Sequence, residues 1–266
     1  MSAEGGAALD GIAPRYFAHV NLNTPDLDRA LGFYRDRLGL GIGWRTEPDV
    51  AQDGALFGMA GTPVAWRGAL LVGPQGGRGP MLDLLQWTRP ATAVVGGVAA
   101  ARLGLSRLVV GVPSEALVAE GALVVDPDGC EVELVAADAS VLLGVVLVCS
   151  SLPRSEAFYR DAMGFEVEGD ARGARVHLPG GRDRFSIFLR EADGPLEPPS
   201  SDATAAGLFR IAILVDAIDP RRLPPGAGPL CDAELGDELG LVRAVLLPDP
   251  DGVTLEYVEP LASVSA

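Results

Sequence analysis

The sequence predicts an α+β fold built from two tandem copies of one module, near residues 15–137 and 142–260. One observation is a helical motif that occurs twice, as FYRDRLGL and as FYRDAMGF. Another is a loop-and-strand motif that occurs twice, as DPDGCEVEL and as DPDGVTLEY. Both motifs keep their order in the two copies at nearly constant offset, which indicates a duplication. The remaining residues, 1–14 and 261–266, are predicted to be tails.

Each module is predicted to open with a strand, FAHVNLNT at 17–24 and LGVVLVCS at 143–150, because apolar residues alternate there or predominate. A helix that begins at a polar capping residue follows each strand, and Gly39 and Gly164 end the two helices. Further strand candidates lie at 41–46, 64–72, 81–87, 166–168, 174–178 and 184–190. The resulting order is βαβββ.

The second half of each module repeats this order, beginning at the strands GLSRLVV and GLFRIAI. The interval from Arg107 to Glu133 in the first module is much shorter than the matching interval from Arg210 to Glu256. The first module is therefore predicted to have lost one strand from its second half.

Composition excludes several classes of function. All 21 basic residues are arginine, so a lysine Schiff base and a P-loop lysine are both excluded. A formal net charge of −15 repels phosphate backbones, so no nucleic-acid partner is expected. No apolar run approaches the roughly 20 residues of a membrane span. The three cysteines have no paired spacing and no secretion leader is evident, so a cytoplasmic protein with reduced thiols is expected.

With both motifs present twice in the same order, the chain resembles the vicinal-oxygen-chelate superfamily, which includes glyoxalase I, extradiol dioxygenases and bleomycin-resistance proteins. The resemblance covers nearly the whole chain. It implies that each module is a pair of βαβββ motifs forming a curled mixed sheet, or cup, with the reactive site inside. In metal-dependent members the ligands come from the first and the last strand of each motif. The fold alone does not decide the activity.

Carried over position by position, the resemblance implies that His19, Asp83 and Glu133 of the first module hold one divalent metal ion. Arg107 stands at the remaining position, where a histidine is common. A guanidinium cannot ligate and stays protonated, so it would pair with the carboxylates that a metal requires. Arg107 is interpreted either as a clamp for a substrate oxyanion or as an internal partner of Glu133.

Side-chain alternation separates the two modules, because residues two apart on a strand share a face. His19, Asn21 and Asn23 share one face of the first strand, so this cup is predicted to be polar. On the matching strand of the second module Gly144 is followed by valines, and the resemblance leaves Glu256 as the one possible ligand there. The first module is therefore predicted to be the active one and the second to have a degenerate site.

Large aromatic side chains are concentrated in the first module. Trp66 and Trp87, together with Asn21, Asn23 and Arg107, are candidate substrate-binding residues, because flat side chains around a polar cup suit a cyclic or conjugated ligand. Core packing is the alternative for each tryptophan.

The sequence therefore favours a small-molecule enzyme of the glyoxalase-like group from a GC-rich bacterium. Lyase, isomerase or cyclisation chemistry on an oxygenated substrate, of natural-product kind, is expected, with His19, Glu133 and Arg107 as catalytic residues. The alternative is a metal-free protein that binds or sequesters a small molecule, as bleomycin-resistance proteins do. An extradiol iron site is disfavoured, because His19 and His177 lie in different modules. The chain is expected to be a monomer or a homodimer.

Overall fold

A computed structural model of the protein describes residues 14–93, 102–115, 122–181, 184–234 and 240–261. Within these residues strands predominate and helices are few, and the strands form two curled sheets. The predicted α+β class is confirmed. No helix in the described residues has the length and apolar character of a membrane span. Apart from Pro14 and Leu261, the predicted tails lie outside the described residues.

The first module contributes the strands β1 (Pro14–Asn23), β2 (Gly41–Thr46), β3 (Gln52–Gly54), β4 (Met59–Val72), β5 (Met81–Arg89), β6 (Gly104–Val112), β7 (Leu123–Val125) and β8 (Glu131–Ala136). Its helix α1 (Leu27–Leu31) continues as a π-helical segment, Gly32–Arg37, and short 3-10 turns lie at Ala55–Phe57 and Gly76–Arg78. The Asp26 side chain caps α1 by accepting a hydrogen bond from the Arg29 backbone.

The second module contributes β9 (Val141–Cys149), β10 (Glu166–Asp170), β11 (Gly173–His177), β12 (Ser186–Glu191), β13 (Gly207–Val215), β14 (Cys231–Glu234), β15 (Leu241–Pro248) and β16 (Thr254–Pro260). Its helix α2 (Leu152–Ala157) also continues as a π-helical segment, Phe158–Ala162, and short 3-10 turns lie at Pro179–Gly181 and Pro220–Arg222. In the described residues the second half of this module has one strand more than that of the first module, as predicted.

The two sheets pair motifs across the module boundary. A nine-stranded sheet has the order β14-β15-β16-β13-β1-β5-β4-β2, with β3 on β4, and a seven-stranded sheet has the order β10-β11-β12-β9-β6-β8-β7. Each sheet therefore joins one motif of the first module to one motif of the second, whereas the sequence led us to expect both motifs of a sheet from the same module.

Connection lengths explain this pairing. Residues 137–140 are the whole link between β8 and β9, and so short a link keeps β9 beside the preceding motif, where it pairs antiparallel with β6. The links from β5 to β6 and from β12 to β13 are much longer and carry the chain from one sheet to the other. The module is thus a unit of sequence, and the cup is a unit of structure built from both modules.

Buried hydrogen bonds explain why the two motifs recur together. The Tyr34 hydroxyl in the FYRD segment donates to Asp126 Oδ2 of the DPDG loop at 2.9 Å, and Tyr159 donates to Asp249 in the second copy at 3.4 Å. The other oxygen of Asp126 accepts two backbone N–H groups of its own loop, and Asp249 does the same. Each helix is thereby fixed to the loop of the same module, although the helix connects strands of one sheet and the loop connects strands of the other.

The main core lies on one face of both sheets and under the helices. Phe17 from β1 stacks on Phe165 at 5.3 Å between ring centres and packs on Phe185 at 4.7 Å, so aromatic rings of both modules meet there. Alternation sends every second side chain of each sheet to the opposite, concave face. We call these two concave faces the nine-stranded cup and the seven-stranded cup.

Candidate active site in the nine-stranded cup

Four ionisable side chains from both modules meet in the nine-stranded cup. His19 lies on β1, Asp83 on β5, Arg210 on β13 and Glu256 on β16. Strand β1 pairs with β5 on one side and with β13 on the other, so Asn21 stands opposite both Asp83 and Arg210. The next strand, β16, brings Glu256 to the same level as His19. This cluster requires strands from both halves of the chain.

The charged and polar atoms of the cluster lie within ion-pair distance of their neighbours. His19 Nε2 lies 3.7 Å from Glu256 Oε2 and 3.9 Å from Asp83 Oδ2. Arg210 Nε lies 3.0 Å from the same Glu256 oxygen, and both of these side chains are only 4% exposed. Within the described residues, four buried atoms of the cluster have no hydrogen-bond partner: His19 Nε2, Asp83 Oδ1, Arg210 Nε and Glu256 Oε2. The contact between Arg210 and Glu256 is an ion pair whose angle does not make a hydrogen bond.

Burial sets the protonation of the cluster. Desolvation raises the pKa of Asp83 to about 7, with Arg210 lowering and Glu256 raising it to smaller extents. Desolvation also raises the pKa of Glu256, against the opposing effect of Arg210. The pKa of His19 is lowered to about 3, first by burial and then by the Arg210 charge, so the imidazole is neutral at physiological pH. One guanidinium balances one carboxylate, and the second carboxyl group can exchange a proton near neutrality.

A short turn covers the cup. Arg210 Nη1 donates a long hydrogen bond of 3.5 Å to the carbonyl of Leu56, and its guanidinium carbon lies 4.9 Å from the centre of the Phe57 ring. Phe57 is itself held edge-on against Trp66 and Trp87. Gly58, with φ of +77°, ends the turn in a left-handed conformation that glycine adopts without strain. The cluster therefore lies beneath a cover supported by an aromatic group.

The predicted substrate-binding residues have more specific roles here. Asn21 donates through its side-chain nitrogen to Asp83 Oδ2 at 3.2 Å and so positions that carboxyl group. Asn23 donates to two backbone carbonyls and accepts from Trp87 Nε1 at 3.0 Å, so its side chain is fully engaged. Trp66 Nε1 donates to Thr46. Trp66 and Trp87 thus pack against Phe57 of the turn, and Asn23 holds Trp87 in place.

The comparisons with known proteins agree with this architecture. Residues 16–82 match the model of the glyoxalase, bleomycin resistance protein and dioxygenase superfamily. Glyoxalase I from Zea mays has 16% identity to this chain and a TM-score of 0.66, with 92% of each chain covered. A putative dioxygenase from Bacillus subtilis has 15% identity and a TM-score of 0.64, with 95% of this chain and 87% of that chain covered. The sequence matches none of the curated proteins compared with it.

In residues 16–82 the chain thus carries the sequence pattern of this superfamily, and over nearly its whole length it has the fold of glyoxalase I. The four clustered residues occupy the four ligand positions that the resemblance implied, but in a cup assembled from both modules. Sequence reasoning found His19 and Asp83 and assigned Arg210 and Glu256 to a module without a site. The short link 137–140 was the signal that could have corrected this assignment.

Arg107 and Glu133 lie in the other sheet. Arg107 on β6 bonds to Glu131 Oε2 at 2.7 Å and to Glu133 Oε2 at 3.3 Å, both on β8 of the seven-stranded sheet. The expected grouping of these two residues with His19 and Asp83 is therefore corrected, because the sheets pair motifs across the module boundary. The contacts agree with the interpretation of Arg107 as an internal partner of Glu133.

The donor set of the nine-stranded cup does not fit a bound metal ion. The expected set of His19, Asp83 and Glu133 is divided between two sheets, and Glu256 would have to replace Glu133. A guanidinium lies 3.0 Å from that Glu256 oxygen and occupies the fourth ligand position, where it stays protonated. Among the described residues no group of three or more His, Cys, Asp or Glu is arranged to hold a metal ion.

Proposed function

We propose that this protein is a small-molecule enzyme that moves a proton beside a carbonyl group of an oxygenated substrate, as lyases and isomerases do. The observation that carries the proposal is the buried Asp83, whose pKa of about 7 lies at the working point of a general acid or base. A neutral His19 and a charged Arg210 lie around it. Burying these charges costs free energy, so the cluster is weak evidence for a role in stability. Ionisable groups with shifted pKa values are common at functional sites.

The roles follow from the geometry. The Asp83 carboxylate accepts a proton from the carbon next to the substrate carbonyl. The electron pair of the broken C–H bond forms a carbon–carbon double bond, and the π electrons of the carbonyl move to its oxygen. Arg210 stabilises that oxyanion through charge-assisted hydrogen bonds. Asn21 holds Asp83 in place, and the Asp83 carboxylic acid returns the proton to a carbon of the product or to a departing group. His19, neutral at this pH, hydrogen-bonds a substrate hydroxyl or carbonyl.

Substrate entry requires the turn Ala55–Phe57 to move. In the closed arrangement the guanidinium of Arg210 contacts the Leu56 carbonyl and the Phe57 ring. When the turn opens, both contacts are released and Arg210 is available to the substrate oxygen. When it closes behind the substrate, water is excluded and the electrostatic interactions inside the cup are strengthened.

The test is hydrogen–deuterium exchange at carbon. The protein is incubated in D2O with a panel of hydroxy ketones, keto acids and enolisable lactones, and deuterium incorporation is followed by mass spectrometry. For any compound that exchanges, Asp83→Asn should lower the rate by about two to four orders of magnitude, the usual contribution of a general base.

Glu133→Gln is the control, because it removes a carboxylate from the seven-stranded cup, at the position equivalent to Glu256. It should leave the exchange rate unchanged. Equal rates in wild type and Asp83→Asn would contradict the assignment of the base. Saturable binding of a compound in the nine-stranded cup without exchange or turnover of any panel member would favour the alternative of a metal-free binding protein.

A further inference from the structure

The seven-stranded cup holds a second polar cavity. Its volume is about 680 Å³, and its lining includes Arg175 and His177 on β11, Glu168 on β10, Arg184, and Asp138 in the link between β8 and β9. The charged side chains of this lining come mainly from β10 and β11, whereas Gly144 and the valines of β9 are not part of it. Neither β10 nor β11 carries a ligand position that the resemblance implies.

His177 is the most distinctive group in this cavity. Its side chain is nine-tenths buried, yet its Nε2 atom has no hydrogen-bond partner among the described residues. Nδ1 lies 3.2 Å from the Leu178 carbonyl oxygen, an arrangement in which Nδ1 carries the proton and donates it. Carboxylate oxygens of Glu166 and Glu168 lie 3.6 Å from Nδ1 and Nε2. Nε2 is the ring atom left for a ligand, and a hydroxyl group suits it because a hydroxyl can both donate and accept a hydrogen bond.

Arg175 supplies the positive charge beside this imidazole. Its Nε donates to Ser186 Oγ at 2.8 Å, and Ser186 is completely buried, so the guanidinium is held in one orientation. Its two terminal nitrogens are the groups that can donate to a ligand, and a carboxylate is the planar partner that suits them. Arg184 lines the same cavity.

Acidic groups at the cavity restrict the charge of the ligand. Glu168 Oε1 lies 3.6 Å from His177 Nε2, and Asp138 lines the cavity as well. Both repel a dianion such as a phosphate monoester, whereas a single carboxylate opposite the arginines is acceptable. Glu168 can also accept a hydrogen bond from a second hydroxyl group.

We propose that the seven-stranded cup is a binding site for a small hydroxylated monocarboxylate, with Arg175 holding the carboxylate and His177 Nε2 hydrogen-bonded to the hydroxyl. This site is separate from the cluster around His19 and does not depend on the proposed enzymatic activity. The chain therefore has two cups with different tasks, one closed and suited to proton transfer and one open and suited to binding an acid.

The two histidines make the test direct, because His19 reports on one cup and His177 on the other. Protein labelled with 13C-histidine is titrated with mandelate, and the ring C–H signals, assigned with His19→Gln and His177→Gln, are followed by NMR. We expect a saturable shift of the His177 signal. Phenylacetate, which lacks the hydroxyl, and benzyl alcohol, which lacks the carboxylate, should each bind more weakly.

Arg175→Gln should weaken mandelate binding on the order of tenfold, as expected for loss of a charged hydrogen-bond donor. Arg172→Gln, an exposed change in the turn before β11, is the matched control and should bind as the wild type does. An unchanged His19 signal in both variants shows that they are folded. No shift of His177, a shift of His19 alone, or equal binding by Arg175→Gln and wild type would overturn the proposal.

Discussion

The two cups contain the same pair of residue types at equivalent positions of the repeat, in very different surroundings. Arg210 and Glu256 are each 4% exposed, whereas Arg107 is 30% and Glu133 is 35% exposed. The difference arises between the second and third main strands of each first motif. In the nine-stranded sheet the chain inserts β3 and the turn Ala55–Phe57 there, whereas in the seven-stranded sheet β10 and β11 are joined by a tight turn.

Burial changes the chemistry of an ion pair more than the identity of its members does. In the exposed cup, water solvates Arg107 and its carboxylates, and the pair contributes little to stability or to proton transfer. In the covered cup a second carboxyl group, Asp83, lies beside the ion pair of Arg210 and Glu256. Burial raises the pKa of Asp83 to about 7, so it gains and loses a proton near neutral pH. An insertion between two strands has in this way turned one copy of a repeated contact into a candidate active site.

The largest expected effect is on stability when the two arginines are replaced in parallel. Arg210→Met should lower the free energy of unfolding by roughly 3–5 kcal/mol, since it leaves Glu256 buried without its counter-charge. Arg107→Met should lower it by about 0–1 kcal/mol, as for an exposed ion pair. Urea denaturation of both variants at pH 7 measures the difference.

The double variant Arg210→Met/Glu256→Leu is the control for this pair. It removes both charges, so it should recover most of the stability that Arg210→Met loses. Equal losses for Arg210→Met and Arg107→Met would show that the cover over the nine-stranded cup does not desolvate the pair, and the comparison between the cups would fail.

A smaller effect is expected from Asp83→Asn, and it depends on pH. The pKa of Asp83 is raised from 3.8 to about 7 on folding, so below pH 3.8 the group is protonated in both states. Between these values only the unfolded chain ionises, so the free energy of unfolding falls as pH rises and is lowest above pH 7. Asp83→Asn removes this loss and should stabilise the protein at pH 8 on the order of 2 kcal/mol, allowing for weaker hydrogen bonding of the amide.

Denaturation of wild type and Asp83→Asn at pH 5 and pH 8 measures this change. The gain should be larger at pH 8 than at pH 5. Glu133→Gln, which removes a carboxylate from the exposed cup, is the control and should not reproduce the gain at pH 8. A gain for Asp83→Asn that is equal at both pH values would mean that Asp83 does not titrate in this range.

The fold could be predicted because the landmarks of the repeat are local. The FYRD helix and the DPDG loop recur as a pair because Tyr34 and Asp126, like Tyr159 and Asp249, bond to each other within one module. The strand positions followed from alternation and turn residues. These signals need no knowledge of which strands lie side by side.

The candidate site could be predicted only in part, because the sequence of a strand does not determine which other strand pairs with it. His19 and Asp83 were found from their positions on β1 and β5, which pair within one motif. Arg210 and Glu256 join them through the pairing of β1 with β13, which links residues nearly 200 positions apart in the chain. The cover by Leu56 and Phe57 could not be predicted either, because its contacts with Arg210 depend on how the segment between two strands folds over the sheet.

The last prediction is that divalent metal ions have no effect on the stability of the wild type. With Arg210 beside Glu256, addition of Zn²⁺, Ni²⁺ or Mn²⁺ should not raise the urea midpoint of the wild type above its value in EDTA. A bound ion would raise it, since a ligand at 100 times its Kd stabilises the native state by about 2.7 kcal/mol. Elemental analysis of protein purified without an affinity tag should likewise find no stoichiometric metal.

Arg210→His provides the positive control, because it places an imidazole beside His19, Asp83 and Glu256 and removes the competing cation. This variant should gain a metal-dependent increase in the urea midpoint. Arg107→His should not, because Gly144 and Ser186 offer no strong ligand at the matching positions of the seven-stranded cup. A metal-dependent shift in the wild type would contradict the view that the guanidinium of Arg210 has taken the place of a metal ion.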